Sequence, residues 1–114
     1  MEMKVLESVE GISHVALIGR LNAAGVSAVE QKFRMYVEGR TLPTIVDLSG
    51  VTDIASVGMR LLLASFKVLK ENRMKMVLLK PQFLVEEALK TACLDQLLPI
   101  LHEEREAFKR LLTQ

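Results

Sequence analysis

Thr44-Ile45-Val46-Asp47-Leu48 is apolar at nearly every position and runs into Ser49-Gly50. A strand half exposed to water alternates apolar with polar residues, so an almost unbroken run predicts a central strand buried on both faces, the usual state of a strand in a parallel sheet. The residues downstream agree. From Val57 to Asn72 the apolar residues Leu62, Phe66 and Leu69 fall on one helical stripe, with Lys67, Lys70 and Glu71 elsewhere, which predicts an amphipathic helix. Met74-Lys75-Met76-Val77-Leu78-Leu79 reads as another strand, and Pro81 opens a further helix in its first turn, where a missing N–H does no harm. Strand–helix alternation with crossovers calls for parallel strand pairs covered by helices.

Toward the N-terminus, residues 3–9 and 12–18 are short, rich in β-branched residues and joined at Glu10-Gly11, as expected of two antiparallel strands in a tight hairpin. In Gly19-Arg20-Leu21-Asn22 the last residue can accept a hydrogen bond from the first-turn amides of a following helix. Val26, Val29, Phe33, Tyr36 and Val37 then recur at helical spacing, predicting a helix over 23–38 with Gly39 as a left-handed stop. Toward the C-terminus, Leu97–Leu101 reads as a last short strand. His102-Glu103-Glu104 places acids at a helix start, and Lys109-Arg110 places bases at its end, complementing the helix dipole. The expectation is an α/β fold: a mixed sheet of four or five strands with most helices on one face.

With 114 residues there is room for one core and no second domain, so residues 1–114 are read as a single unit. Hydrophobic residues make up 50% and aromatics only 4%, so Leu, Val, Ile, Met and Ala must build that core. Fifteen basic and fourteen acidic residues leave a net charge of +1 without a basic block, which argues against nucleic acid as a partner. The start, Met1-Glu2-Met3-Lys4, leads into alternating residues and not into a signal-peptide core. No apolar run approaches the roughly 18 residues of a membrane span, so a cytoplasmic protein is expected.

Chemistry-bearing patterns are scarce. Cys93 is the only cysteine, which excludes an intrachain disulfide and leaves nothing to assemble a cysteine metal cluster; it reads as a small buried hydrophobe. No phosphate-binding glycine loop, nucleophile elbow or paired-histidine helix appears, and neither His14 nor His102 has ligand spacing to another group. His14 is expected to face a sheet surface, and Glu103, Glu104 and Glu106 to form a solvated helix face. No catalytic residue, metal site or cofactor is expected, and the chain reads as a binding protein and not an enzyme.

One segment is more specific. Val46-Asp47-Leu48-Ser49-Gly50-Val51-Thr52-Asp53-Ile54-Ala55-Ser56-Val57-Gly58-Met59-Arg60 resembles the STAS domains, particularly the bacterial anti-anti-sigma factors, whose corresponding stretch runs approximately V-D-L-S-x-V-x-x-I-[DS]-S-x-G-L-R. The likeness extends to Gly19-Arg20-Leu21-Asn22, similar to the family's G-R-L-D, and to Met76-Val77-Leu78-Leu79-Lys80-Pro81 at a late strand-to-helix junction. Three residues depart from the pattern: Asn22 stands for Asp, Ala55 for Asp or Ser, and Val57 for a small, often hydroxylated, residue.

The resemblance implies that Ser56 is the serine phosphorylated by a partner kinase. From the residues alone Ser56 reads as an N-cap receiving the Gly58 or Met59 amide, which is compatible with modification. Gly58 in the first turn lets another backbone approach, and Met59 is a flexible apolar group suited to docking. Asn22, Ser49, Asp53, Gly58, Met59 and Arg60 are the expected partner-binding residues, placed in loops after strands or in a first helical turn at one end of the sheet.

By the same resemblance the chain is an anti-sigma factor antagonist working by partner switching. The unphosphorylated form would bind an anti-sigma factor that is also a serine kinase, phosphorylation of Ser56 would release it, and a metal-dependent phosphatase of the PP2C type would reset the cycle. The alternative is a STAS scaffold subunit that docks through the same surface without modification, in a stress-signalling or transport assembly. A ligand-binding form would need an apolar pocket with convergent polar groups, which the sequence does not display.

Overall fold

The computed structural model describes residues 1–113. In chain order the elements are β1 (Glu2–Val5), β2 (Ser13–Leu21), α1 (Ala23–Arg40), β3 (Thr44–Ile54), α2 (Ser56–Glu71), β4 (Met76–Leu79), α3 (Phe83–Thr91), a single 3-10 turn (Leu94–Gln96), β5 (Ile100–Leu101) and α4 (Glu104–Leu112). The strands form one sheet in the order β1-β2-β3-β4-β5, with β1 antiparallel to β2 and every other pair parallel. This is the mixed α/β sheet that the alternating patterns predict.

Side-chain alternation along the central strands divides the core in two. Val46 and Leu48 of β3, with Met76 and Leu78 of β4, meet Phe33 and Val37 of α1, Leu62 and Leu69 of α2, and Val85 and Leu89 of α3. Ile45, Val77 and Leu79 point the other way, onto Ala107 and Leu111 of α4. Three helices therefore cover one face and α4 covers the other. Burying each large aliphatic side chain contributes about 1.5–3 kcal/mol relative to leaving it exposed, which is why β4 is apolar throughout and β3 carries Ile45 and Val46 at the centre of their pairing. His14 lies on the α4 side, edge-on to Phe108 with ring centroids 5.6 Å apart; it is buried, and neither ring nitrogen has a hydrogen-bond partner among the described residues.

Several boundaries differ from expectation for identifiable reasons. The opening connection is not a tight hairpin. β1 leaves the ladder after Val5↔Val15, and residues 6–12 form a longer loop because β2 begins at Ser13, whose amide bonds Pro43 as the parallel pairing with β3 starts. Val5 and Val9 stay exposed in the absence of a layer to cover them. Helix α1 runs through Gly39 to Arg40, and the left-handed residue is Thr41, held there by its amide to Val37 O and its hydroxyl to Glu38 O. Arg40 is fixed by a hydrogen bond from Nε to Ser13 Oγ and by stacking over Tyr36. Pro81 precedes α3, whose N-cap is Gln82, and the last strand is only Ile100–Leu101 because Leu94–Gln96 forms the 3-10 turn. Cys93 is exposed rather than buried, at a left-handed position between α3 and that turn.

The difference that matters most lies in β3, which does not stop at Leu48 but continues through Ser49-Gly50 to Ile54. Its register with β2 slips between Ala16 and Ile18 and again between Gly19 and Arg20. At each slip β3 carries one residue more than its partner, as in a β-bulge. Gly50 fits there because a Cβ would meet Ile18 at 3.0 Å, and Gly19 takes a φ of +119°. A glycine inside a strand thus marks an irregularity and not an end.

Candidate functional site

The end of the β2–β3 ladder builds the site. Leu21 pairs with Ile54, and the Ala55 amide donates to Leu21 O at 3.0 Å, so the two chains leave the sheet side by side. Each turns at once into a helix, α1 at Ala23 and α2 at Ser56. Two helix N-termini, each with positive partial charge, therefore open at the carboxyl end of neighbouring parallel strands.

Asn22 caps α1 as its position predicts, its Oδ1 accepting from the Gly25 amide at 3.0 Å. Gly25 is required beneath that cap, because a Cβ would lie 1.9 Å from Arg20 O. Ser56 differs from expectation: it is the first residue of α2 and not its N-cap. Ala55 holds the N-cap place without a side-chain bond, and its backbone oxygen accepts the amides of Gly58 at 2.9 Å and Met59 at 3.1 Å. With those amides already bonded, the Ser56 hydroxyl makes no capping bond, and the residue is exposed.

Gly58 is buried, and a Cβ there would sit 2.6 Å from both Leu21 O and Leu21 Cγ. It lets α2 seat on β2 and so supports the surface from beneath. Met59 is half-buried and Arg60 exposed. Arg60 follows Ser56 by one helical turn, so the two share a face. Val57, Arg60 and Leu61 line a shallow depression against Val26 and Glu30 of α1.

Ser49 and Asp53 lie on the extended half of β3 and not in loops. β4 pairs with β3 only from Thr44 to Asp47, so the edge beyond is open on the β4 side. Ser49 is exposed, its amide bonded to Asp47 Oδ1 and its carbonyl accepting from Gln82 Nε2 at 2.9 Å. Asp53 forms a loose ion pair with Arg20 at 3.6 Å, both side chains more than half exposed, which places it among pairs worth little to stability.

The open edge also brings in residues that sequence reasoning missed. Phe83 and Leu84, at the start of α3, are 75% and 74% exposed, and Leu84 lines a small depression with Thr52, Asp53 and Ile54. Phe83 and Leu84 are thus two adjacent large apolar side chains left in water, Leu84 beside polar strand residues. The sequence carries a signal for them: Val85 and Leu89 supply the buried stripe of α3, so Phe83 and Leu84 are apolar residues surplus to it.

The family model for the STAS domain matches residues 3–107. The chain belongs to the STAS domain family. No curated protein sequence matches it. Among solved structures it is similar to an anti-sigma-factor antagonist (STAS) domain protein from Planctomyces limnophilus, with 19% identity, 97% of this chain and 98% of that one covered, and a TM-score of 0.85. It is also similar to an anti-sigma factor antagonist from Mycobacterium paratuberculosis, with 22% identity, coverage of 98% and 96%, and a TM-score of 0.84. The Bacillus cell fate determinant SpoIIAA in its phosphorylated form aligns at 18% identity over 96% of this chain and 98% of that one, with a TM-score of 0.71. These likenesses establish the STAS fold for this chain. Among the described residues no helix is long and apolar enough to cross a membrane.

Proposed function

We propose that this STAS domain is an anti-sigma factor antagonist that works by partner switching. The observation that carries the reading is the state of Ser56: an exposed hydroxyl, free of any capping role, on the first turn of α2. Asn22 and Arg60 lie beside it in the topology, and Ser49, Asp53, Phe83 and Leu84 line the adjoining strand edge. The unphosphorylated surface binds an anti-sigma factor with serine kinase activity. That kinase transfers the γ-phosphoryl group of its own ATP to the Ser56 oxygen, and a PP2C-type phosphatase removes it. The similarity to SpoIIAA, a protein whose structure is of a phosphorylated form, supports the assignment.

Magnitudes favour release over unfolding. At a helix N-terminus a phosphate is tolerated or favoured by about 0.3–2 kcal/mol. Within a packed interface, a charge buried without a partner costs roughly 3–5 kcal/mol, or about two to nearly four orders of magnitude in affinity.

The test is mass spectrometry of the protein from its own cells, joined to calorimetry of native, Ser56→Ala and Ser56→Asp forms with the kinase that co-purifies. Phosphate at Ser56, tight binding by Ser56→Ala and binding weakened about tenfold or more by Ser56→Asp are expected. Unmodified Ser56 together with equal binding by all three forms would replace the switch with a docking scaffold. Ala55 is the feature that favours this second reading, since it offers no side chain where the family pattern has Asp or Ser.

A further inference from the structure

At the opposite end of α2 from Ser56 lies a cleft of about 500 Å³, between the end of α2, the start of β4, the 3-10 turn and the end of α4. Its volume is in the range of small-molecule sites. Phe66, Met74, Leu97 and Pro99 supply apolar lining, and Leu97 is half exposed there although it is a large aliphatic residue. The polar lining is one-sided: Lys70, Arg73, Lys75 and Arg110 contribute positive charge, and no lining residue is acidic.

Lys75 is occupied, its Nζ donating to Thr113 O at 2.6 Å and to Arg110 O at 3.4 Å, which ties the start of β4 to the end of α4. Lys70, Arg73 and Arg110 are exposed and form no ion pair among the described residues. In a chain whose net charge is only +1, three such cations, two from the end of α2 and the turn after it and one from α4, converge on one apolar depression. Arginine forks match the planar geometry of a carboxylate, and methionine and leucine walls adapt to an alkyl chain.

We propose that this cleft binds a free single-chain anionic amphiphile of the fatty-acid class, its alkyl chain against Phe66, Met74 and Leu97 and its carboxylate among Lys70, Arg73 and Arg110. The site is remote from Ser56, so the proposal stands whether or not Ser56 is phosphorylated.

The probe is dodecanoate, titrated below its micelle concentration into the full chain by calorimetry and by amide-resolved NMR. The comparison ligands are dodecanol, acetate and inorganic phosphate. Saturable binding tighter than about 1 mM is expected, with shifts grouped at the cleft and at least tenfold weaker binding of all three comparison ligands. The double variant Lys70→Glu, Arg73→Glu changes exposed residues only; its thermal melt should stay cooperative, lowered somewhat by the loss of Lys70 from the last turn of α2, while its affinity for dodecanoate falls at least tenfold. Absence of saturable dodecanoate binding overturns the proposal. So do equal binding of dodecanol, shifts centred elsewhere, or undiminished affinity in a folded double variant.

Discussion

Ala55 and Ser56 illustrate how finely local chemistry separates two adjacent residues. Alanine is among the poorer N-caps, yet it occupies the cap of α2, while the better capping residue sits one place later with its hydroxyl in water. Ala55→Asp is therefore expected to raise stability by about 1 kcal/mol, read as a shift of the urea midpoint with unchanged slope. Ser56→Ala, which removes no hydrogen bond, should change it by less than about 0.5 kcal/mol. A loss of about 1 kcal/mol or more in Ser56→Ala would show that the hydroxyl caps the helix after all. At this scale the sequence was informative where a single geometry satisfied it, as for Asn22 and for the close approach that Gly58 permits. It was ambiguous at Ala55-Ser56, because either residue can precede the same helical stripe and only the pairing of Ala55 with Leu21 settles which one caps.

Helices α1 and α2 were legible as elements because a 3.6-residue stripe repeats along each, and they begin within one residue of their expected positions, whereas α3 and α4 were signalled by Pro81 and by the charges at the two ends of the last helix. The second half of β3 was not legible, since Ser49-Gly50 is the ordinary signature of a strand end and the bulges that carry the chain onward depend on Ile18 and Gly19 of the neighbouring strand. Element α3 allows a pH test. Glu86 accepts from His102 at 2.8 Å and pairs with Lys90 at 3.0 Å. The His102 hydrogen bond is the main cause holding its carboxyl below the ordinary value of 4.5, against an opposing effect of burial. A group whose folded pKa is depressed stabilises the fold above its unfolded pKa and loses that contribution as pH falls through the folded value. Glu86→Gln should therefore lower stability near neutrality, and the difference from the native chain should shrink below about pH 4.5. Urea unfolding at pH 7 and pH 3 would check this; a difference that is constant with pH would remove Glu86 from the acid response.

The whole molecule follows from two covered sheet faces, and that much was legible in the runs Thr44–Leu48 and Met74–Leu79. The allocation of helices to faces was less so: α4, a short amphipathic helix, covers the second face alone through Ala107 and Leu111. With about 1.5–3 kcal/mol at stake for each of Ile45, Val77 and Leu79, that helix controls a sum comparable to the roughly 5–15 kcal/mol stability of a small domain. A chain ended at His102 should therefore lose its cooperative melt and bind a hydrophobic dye; a sharp native-like transition would show that the second face needs no cover. The strand order gives this dependence a place in time. Each strand pairs with the one synthesised just before it, so the ladder can form progressively as the chain leaves the ribosome, with few long waits for distant segments. The apolar strip of Ile12, Ile45, Val77 and Leu79 is the exception, open from the moment β4 is laid down until the last helix emerges. Any change that slows the docking of α4 would prolong the interval in which the newly made protein is most exposed to aggregation and to chaperones.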